Sequence, residues 1–246
     1  SPSLKAQDLI QAALAGNYQG AAVLVGKKVQ ETLAEIRQVQ EIALPKGLQA
    51  TLRPYQHSGY SWLYKNAQLG MGAILADDMG LGKTLQVITL LLKFKEEQLL
   101  EKKKALIIVP TSLLTNWQKE VEKFAPKLEV AIYHGPKRSI PATFDLLVTS
   151  YGVLRSDAKL LKKRKWYLTV IDEAQHIKNV STVQTKAVKS IKADHYIAMS
   201  GTPVENRLSE YWSIMDFANK GYLGTLSKFN TNFAKPIQQN HDKERL

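Results

Sequence analysis

The stretch from Ala73 to Glu97 constrains this chain more than any other. Ala73-Ile74-Leu75-Ala76 is a short apolar run of the kind a buried parallel strand shows. Asp77 to Thr84 then reads DDMGLGKT, and Leu85, Ile88, Leu91, Leu92 and Phe94 follow at nearly helical spacing. A strand, a glycine-bearing loop and a helix in that order form a phosphate cradle. Gly80 and Gly82 allow backbone N–H groups to turn toward phosphate oxygens, and the positive end of the helix faces the same oxygens. In such a loop Lys83 contacts the β- and γ-phosphates and the Thr84 hydroxyl ligates Mg²⁺. The nucleotide-binding candidates here are Asp78, Met79, Gly80, Leu81, Gly82, Lys83 and Thr84. Asp77 stands where the standard G-x-x-x-x-G-K-[ST] pattern has glycine, so a tight turn with a solvated lysine is the competing reading of the loop alone.

The pattern around the loop alternates. Helix-like segments are expected at Ser58 to Leu69, Thr84 to Glu97, Leu114 to Phe124, Thr182 to Ile191 and Leu208 to Ala218. Strand-like runs lie at 73–76, Ala105 to Val109, Val130 to Tyr133, Leu146 to Ser150, Leu168 to Ile171 and Tyr196 to Met199. Strands alternating with helices predict an α/β fold, a parallel sheet covered on both faces, with ligands beyond the carboxyl ends of the strands. The first forty or so residues read as a helical appendage. Val25, Val29, Leu33 and Ile36 recur at three- and four-residue steps, and Gly16, Asn17 and Gly20 interrupt an earlier stretch. Leu44-Pro45-Lys46-Gly47 reads as a linker. The divisions are residues 1–48 for the appendage and linker, 49–235 for the nucleotide-binding lobe and 236–246 for a tail. Ser1-Pro2-Ser3 lacks an initiator methionine and His241 to Leu246 lacks a helix stop, which together lead us to expect a segment of a longer protein.

Composition adds a partner class. With 34 Lys+Arg against 22 Asp+Glu the chain carries a net charge of +12, which suits a polyanion, most commonly nucleic acid. Cysteine is absent, which excludes disulfides and cysteine-ligated metals. No apolar run approaches the ~20 residues that span a bilayer, so no membrane partner is expected.

Three further blocks fit a triphosphate site. Asp172-Glu173-Ala174-Gln175 follows the apolar run Leu168 to Ile171. Asp172 is the candidate to hold Mg²⁺ through its water shell, and Glu173 the candidate to orient and deprotonate an attacking water. Ser200-Gly201-Thr202-Pro203 follows another strand, where small hydroxyl residues can hydrogen-bond the acidic pair and report nucleotide state. Upstream, Arg53 and Gln56 sit in Leu52-Arg53-Pro54-Tyr55-Gln56, and a glutamine amide can pair with the donor and acceptor of an adenine edge, which selects ATP.

These four blocks in this order resemble the SWI/SNF-type DNA-dependent ATPases of helicase superfamily two. That family characteristically carries an acidic residue at the position of the standard first glycine, and its D-x-G-L-G-K-T is matched by Asp78 to Thr84, so Asp77 becomes a family mark. VPTSLLTNWQKE at Val109 to Glu120 is similar to the block that contacts the DNA backbone; His134-Gly135 and Thr149-Ser150-Tyr151 fall at the next two blocks, and AMSGTPVENRLSEYWSIMDF at Ala198 to Phe217 is highly specific. DEAQ at Asp172 to Gln175, where many eukaryotic members have histidine fourth, favours the bacterial or archaeal branch. The resemblance implies the first of two RecA-like lobes of a P-loop NTPase, with ATP and Mg²⁺ as cofactors and duplex DNA held between lobes. It also implies that a second lobe of the same parent chain supplies arginines, so this lobe alone hydrolyses ATP poorly. Thr111, Ser112, Asn116, Lys178 and Asn179 are the DNA candidates. Trp117 stands beside them, with a core position as its alternative. Lys162-Lys163-Arg164-Lys165 reads either as a phosphate patch or as a solvated loop.

The expected function is translocation on double-stranded DNA with remodelling of protein–DNA complexes. The alternatives are an RNA polymerase-remodelling ATPase or a nucleotide-gated interaction module docking through the N-terminal helices. Such a protein is expected in the cytoplasm at the nucleoid if prokaryotic and in the nucleus if eukaryotic. His57, His134, His195 and His241 show no metal-ligand spacing.

Overall fold

A computed structural model describes residues 41–76, 82–201 and 208–231, with the backbone of 17–18 and 21–22. Asn17–Tyr18 (β1) and Ala21–Ala22 (β2) pair antiparallel at the interruption noted in the N-terminal segment; the rest of the expected N-terminal helices, the loop at 77–81, and residues 202–207 lie outside the described residues.

The remaining strands are β3 (Ala73–Ala76), β4 (Lys104–Val109), β5 (Val130–Tyr133), β6 (Leu146–Ser150), β7 (Trp166–Ile171) and β8 (Ala193–Ser200). They form one six-stranded sheet in the order β3-β8-β7-β4-β6-β5, and every pairing is parallel. Parallel neighbours need crossovers, and α2 (Lys83–Glu96), α3 (Leu114–Phe124), α4 (Tyr151–Leu161) and α5 (Val183–Lys189) supply four of them, while a loop over 134–145 joins β5 to β6; α1 (Pro54–Gln68) precedes the sheet, and α6 (Leu208–Ala218) and the single turn α7 (Leu226–Phe229) follow it.

Strand β4 shows why both faces are covered. Ala105, Ile107 and Val109 enter one core with α1, α2 and α3, while Leu106 and Ile108 enter the other with α4, α5 and α6. A strand alternates its side chains, so a run that is apolar at every position must be buried on both sides. Helix α2 is enclosed almost all round: Val87 through Leu92, along with Phe94, are buried between the sheet and α1. Asn219 fastens the end of α6 to the start of β3, its Oδ1 accepting from Gly72 N at 2.8 Å and its Nδ2 donating to Gly72 O at 3.1 Å.

Several element limits differ from the expectations. Helix α1 begins at Pro54, four residues before the expected Ser58, because proline suits the first turn where its missing N–H has no helical partner. β7 and β8 extend two and three residues earlier than expected. Helix α4 was not anticipated. Only Tyr151, Leu154 and Leu161 bury along its eleven residues, and Asp157 leaves helical geometry at φ −106, ψ 19, so the apolar stripe is sparse and interrupted. Its start is nonetheless capped, with Ser150 Oγ accepting from Val153 N at 3.3 Å.

The chain leaves edge strand β3 for β4, three places away, and β8 and β7 later fill the gap. This skipped interval opens a crevice at the carboxyl ends of β3, β8 and β7, where open parallel sheets bind ligands.

Candidate functional site

At that crevice lies a cleft of about 280 Å³, near the lower end of usual ligand cavities. Among the described residues its walls include Gly82, Lys83 and Thr84 from the loop and the start of α2. Asp172 and Glu173 join them from the end of β7, and Gly201 from the end of β8. Residues separated by more than a hundred positions therefore meet because their strands lie side by side and point the same way. Gln56 approaches from α1: a β-carbon placed on Gly82 would stand 2.3 Å from its Nε2. Gln56 Oε1 also accepts from Arg53 N at 2.9 Å, which fixes the amide at the helix start, while the Arg53 side chain stays exposed. Gly82 takes φ +72, and from that left-handed position it begins α2 without a side-chain cap.

Asp172 is almost wholly buried and held at four atoms. Its N–H donates to Ile108 O at 2.8 Å, and its carbonyl accepts the Tyr151 hydroxyl at 2.6 Å. Carboxylate Oδ1 accepts from Glu173 N at 2.9 Å, and Oδ2 accepts from the Trp117 indole Nε1 at 2.8 Å. Burial pushes the Asp172 carboxyl above its ordinary value, against the opposing effects of the Trp117 and Glu173 donors and the Lys83 charge. Burial likewise pushes the Tyr151 phenol well up, with the charges of Asp172 and Glu173 adding to it, so this hydroxyl remains a donor. Glu173 sits at φ +53, a left-handed conformation that costs a non-glycine residue of order 1–3 kcal/mol. Gln175 steadies it, donating from Nε2 to Glu173 Oε2 at 2.7 Å.

The donor set suits a divalent cation beside phosphate. Each Asp172 oxygen accepts one hydrogen bond and retains a lone pair, and the residue lines the cleft with Thr84. Among the described residues no group of three or more His, Asp or Glu gathers as a metal cage, at the cleft or away from it. One or two carboxylates completed by substrate phosphates and water is the usual Mg²⁺ arrangement.

The DNA candidates divide. Thr111 and Ser112 are exposed in the 3-10 turn Thr111–Leu113 that follows β4. Asn116 lines the cleft and donates from Nδ2 to Glu120 Oε1 at 2.9 Å. Lys178 is half exposed and pairs with Glu210 at 3.6 Å, and Asn179 Oδ1 accepts from Ser181 N and Oγ within its own turn. Trp117 departs from the DNA expectation. It has no exposed surface, so it takes the core alternative, with its indole N–H turned to Asp172. Lys162 to Lys165 are all exposed on the loop entering β7, at the amino ends of the strands and so at the opposite end of the sheet from the cleft. Ser200 is buried at the end of β8; Thr202 and residues 77–81 lie outside the described residues.

Two residues that hold the acidic pair or the turn after it escaped the sequence reading of their roles. Tyr151 appeared only as part of a block, and it also stacks on His176, with ring centroids 4.8 Å apart. Ser213 on α6 donates from Oγ to Ile177 O at 2.6 Å, tying that helix to the 3-10 turn Ala174–Ile177 after the pair.

Comparison with known proteins fits this geometry. The SNF2-related domain matches residues 55–246. The chain is 45% identical over 221 residues to the "Putative ATP-dependent helicase/translocase YwqA" of Bacillus subtilis, covering 87% of this chain and 24% of that protein. It is 38% identical over 221 residues to the "TATA-binding protein-associated factor mot1" of Aspergillus fumigatus, covering 83% of this chain and 12% of the relative. The solved Sulfolobus solfataricus SWI2/SNF2 ATPase core in complex with dsDNA superposes with a TM-score of 0.77 at 45% identity, over 85% of this chain and 43% of that one. The chain thus spans a quarter or less of the length of these curated relatives.

Proposed function

The chain belongs to the SNF2-related domain family, and on that footing we propose that it is the ATP-binding lobe of a DNA-dependent ATPase that translocates on double-stranded DNA and remodels protein–DNA complexes. The observation that carries this reading is the meeting of Lys83, Thr84, Asp172 and Glu173 in one cleft at the carboxyl ends of adjacent parallel strands.

In this reading Gln56 and Arg53 receive the adenine end of ATP, with Gln56 set against Gly82. Residues Asp78 to Gly82 are assigned to binding the phosphates, and Lys83 neutralises the β- and γ-phosphoryl oxygens. Thr84 and Asp172 would hold Mg²⁺, which when bound would offset the charge that develops on the phosphate oxygens. Glu173 orients a water and takes its proton as the water oxygen bonds to the γ-phosphorus; the bond to the β-phosphate bridging oxygen breaks and ADP leaves. Ser200, Gly201 and Thr202 relay the state of the acidic pair. Thr111, Ser112, Asn116, Lys178 and Asn179 grip DNA phosphates without reading bases, which suits movement along any sequence. Residues 49–235 form the lobe, 1–48 an appendage, and 236–246 lead toward a second RecA-like lobe of the same parent protein. The net charge of +12 and the dsDNA complex of the Sulfolobus relative support the choice of partner.

The test is ATP hydrolysis by the two-lobe protein with and without duplex DNA. Phosphate release should rise with duplex and be lost in Lys83→Ala. A rate indifferent to duplex, or unchanged in that variant, overturns the proposal.

A further inference from the structure

Asp172 is pinned from two directions. Ile108 and Tyr151 hold its backbone, and the N–H of Glu173 holds Oδ1, all from the carboxyl ends of the central strands or the adjoining helix start. The remaining bond comes from a different layer: Trp117 on α3, 55 residues earlier in the chain, donates to Oδ2 at 2.8 Å from a ring with no exposed surface. A carboxylate held through one oxygen can still turn about its own axis, whereas a second donor from another element fixes its plane.

Indole suits this task for a chemical reason. Its N–H donates only, so it cannot compete as a cation ligand, and it does not titrate in the working range of a protein. Its large ring is locked among Leu114, Val121 and the sheet, so the donor costs little further ordering. Helix α3 and the turn before it also reach the cleft itself, where Leu113, Asn116 and Glu120 line the wall shared with Asp172.

We infer that Trp117 is a positioning residue whose indole N–H sets the plane of the Asp172 carboxylate, so that its unused lone pairs face the place a divalent cation takes beside a nucleotide. This rests on the nucleotide-binding function proposed above, and adds to it a residue from the α3 layer. Partners that orient metal ligands are typically worth about ten- to a hundredfold in metal affinity.

The experiment measures Mn²⁺ binding to this chain in the presence of ADP, by the loss of the free-ion paramagnetic resonance signal. Trp117→Phe keeps a buried aromatic ring and removes the donor; its Mn²⁺ affinity should fall by about tenfold or more. Trp166→Phe is the control. Trp166 is also buried, and its Nε1 donates to Leu161 O at 3.1 Å, away from the cleft, so this variant should bind Mn²⁺ as the unaltered chain does. The emission of the unaltered chain minus that of Trp117→Phe isolates Trp117, and Mn²⁺ with ADP should quench it. Equal Mn²⁺ affinity in Trp117→Phe and the unaltered chain, or equal losses in both tryptophan variants, overturns the inference while leaving nucleotide binding standing. Failure of the unaltered chain to bind ADP overturns the proposed function, and this inference with it.

Discussion

Gly82→Ala is the substitution whose consequences the structure specifies most fully. Gly82 has φ +72, and forcing an L-residue into that region costs about 1–2 kcal/mol. The new β-carbon would stand 2.3 Å from Gln56 Nε2, so the amide must swing away. That movement breaks the 2.9 Å bond from Arg53 N to Gln56 Oε1, a loss of about 1 kcal/mol. Alanine also stiffens the unfolded chain, which returns about 0.4–1 kcal/mol. The net loss is about 1–2.5 kcal/mol, which for a chain of this size lowers Tm by about 2–10 °C. Gly152→Ala provides the opposite sign. Gly152 lies inside α4, and a β-carbon there meets nothing within 4 Å, so the same exchange should stabilise by about 0.4–1 kcal/mol. Thermal melting followed by circular dichroism reads both variants, and calorimetric titration with ADP reads the displaced amide as weakened binding. A Gly82→Ala protein melting at or above the unaltered chain with undiminished ADP affinity would refute the argument from backbone and amide.

Three other perturbations have defined outcomes. Tyr151→Phe leaves the buried Asp172 carbonyl without its 2.6 Å donor and should cost about 1–3 kcal/mol in urea unfolding; a loss below 0.5 kcal/mol, on the order of a surface change, would show that the hydroxyl is dispensable. The Arg138 guanidinium, donating from Nε to Asp157 Oδ2 at 2.7 Å, holds the Asp157 carboxyl below its usual value, with the Tyr133 hydroxyl helping. Its stabilisation is therefore complete above the unfolded carboxylate value of about 3.9 and fades as pH falls through the depressed folded value; Asp157→Asn should flatten that acid limb, and identical acid unfolding curves would contradict it. Finally, the isolated chain should hydrolyse ATP at least about 10³-fold more slowly than the two-lobe protein with duplex DNA, and comparable rates would remove the need for arginines from a second lobe.

Much of the fold was legible because its signals are local. The run at β4 is apolar from Ala105 to Val109 and those at β6 and β7 nearly so, as strands buried on both faces require, and most of the helices carry their own periodicity. The nucleotide blocks were legible for a similar reason, since each is a short string of residues whose backbone freedom or charge has one chemical use. Helix α4 was not, because three buried residues and a kink at Asp157 make a weak stripe. Its presence follows instead from topology, since parallel β6 and β7 flank β4 and the chain must cross over to join them.

By itself, then, the sequence determined an alternating α/β chain with a phosphate loop, an acidic pair and a basic balance of charge. Only the tertiary structure decided which of these residues face one another. Periodicity says that Trp117 is buried on one side of a helix, and nothing in it names Asp172 as the group that side meets. That choice depends on strand order, with β7 beside β4 and α3 packed over their ends. Hydrogen-bond partners distant along the chain are fixed by the way layers stack, and each segment carries only its own half of that information.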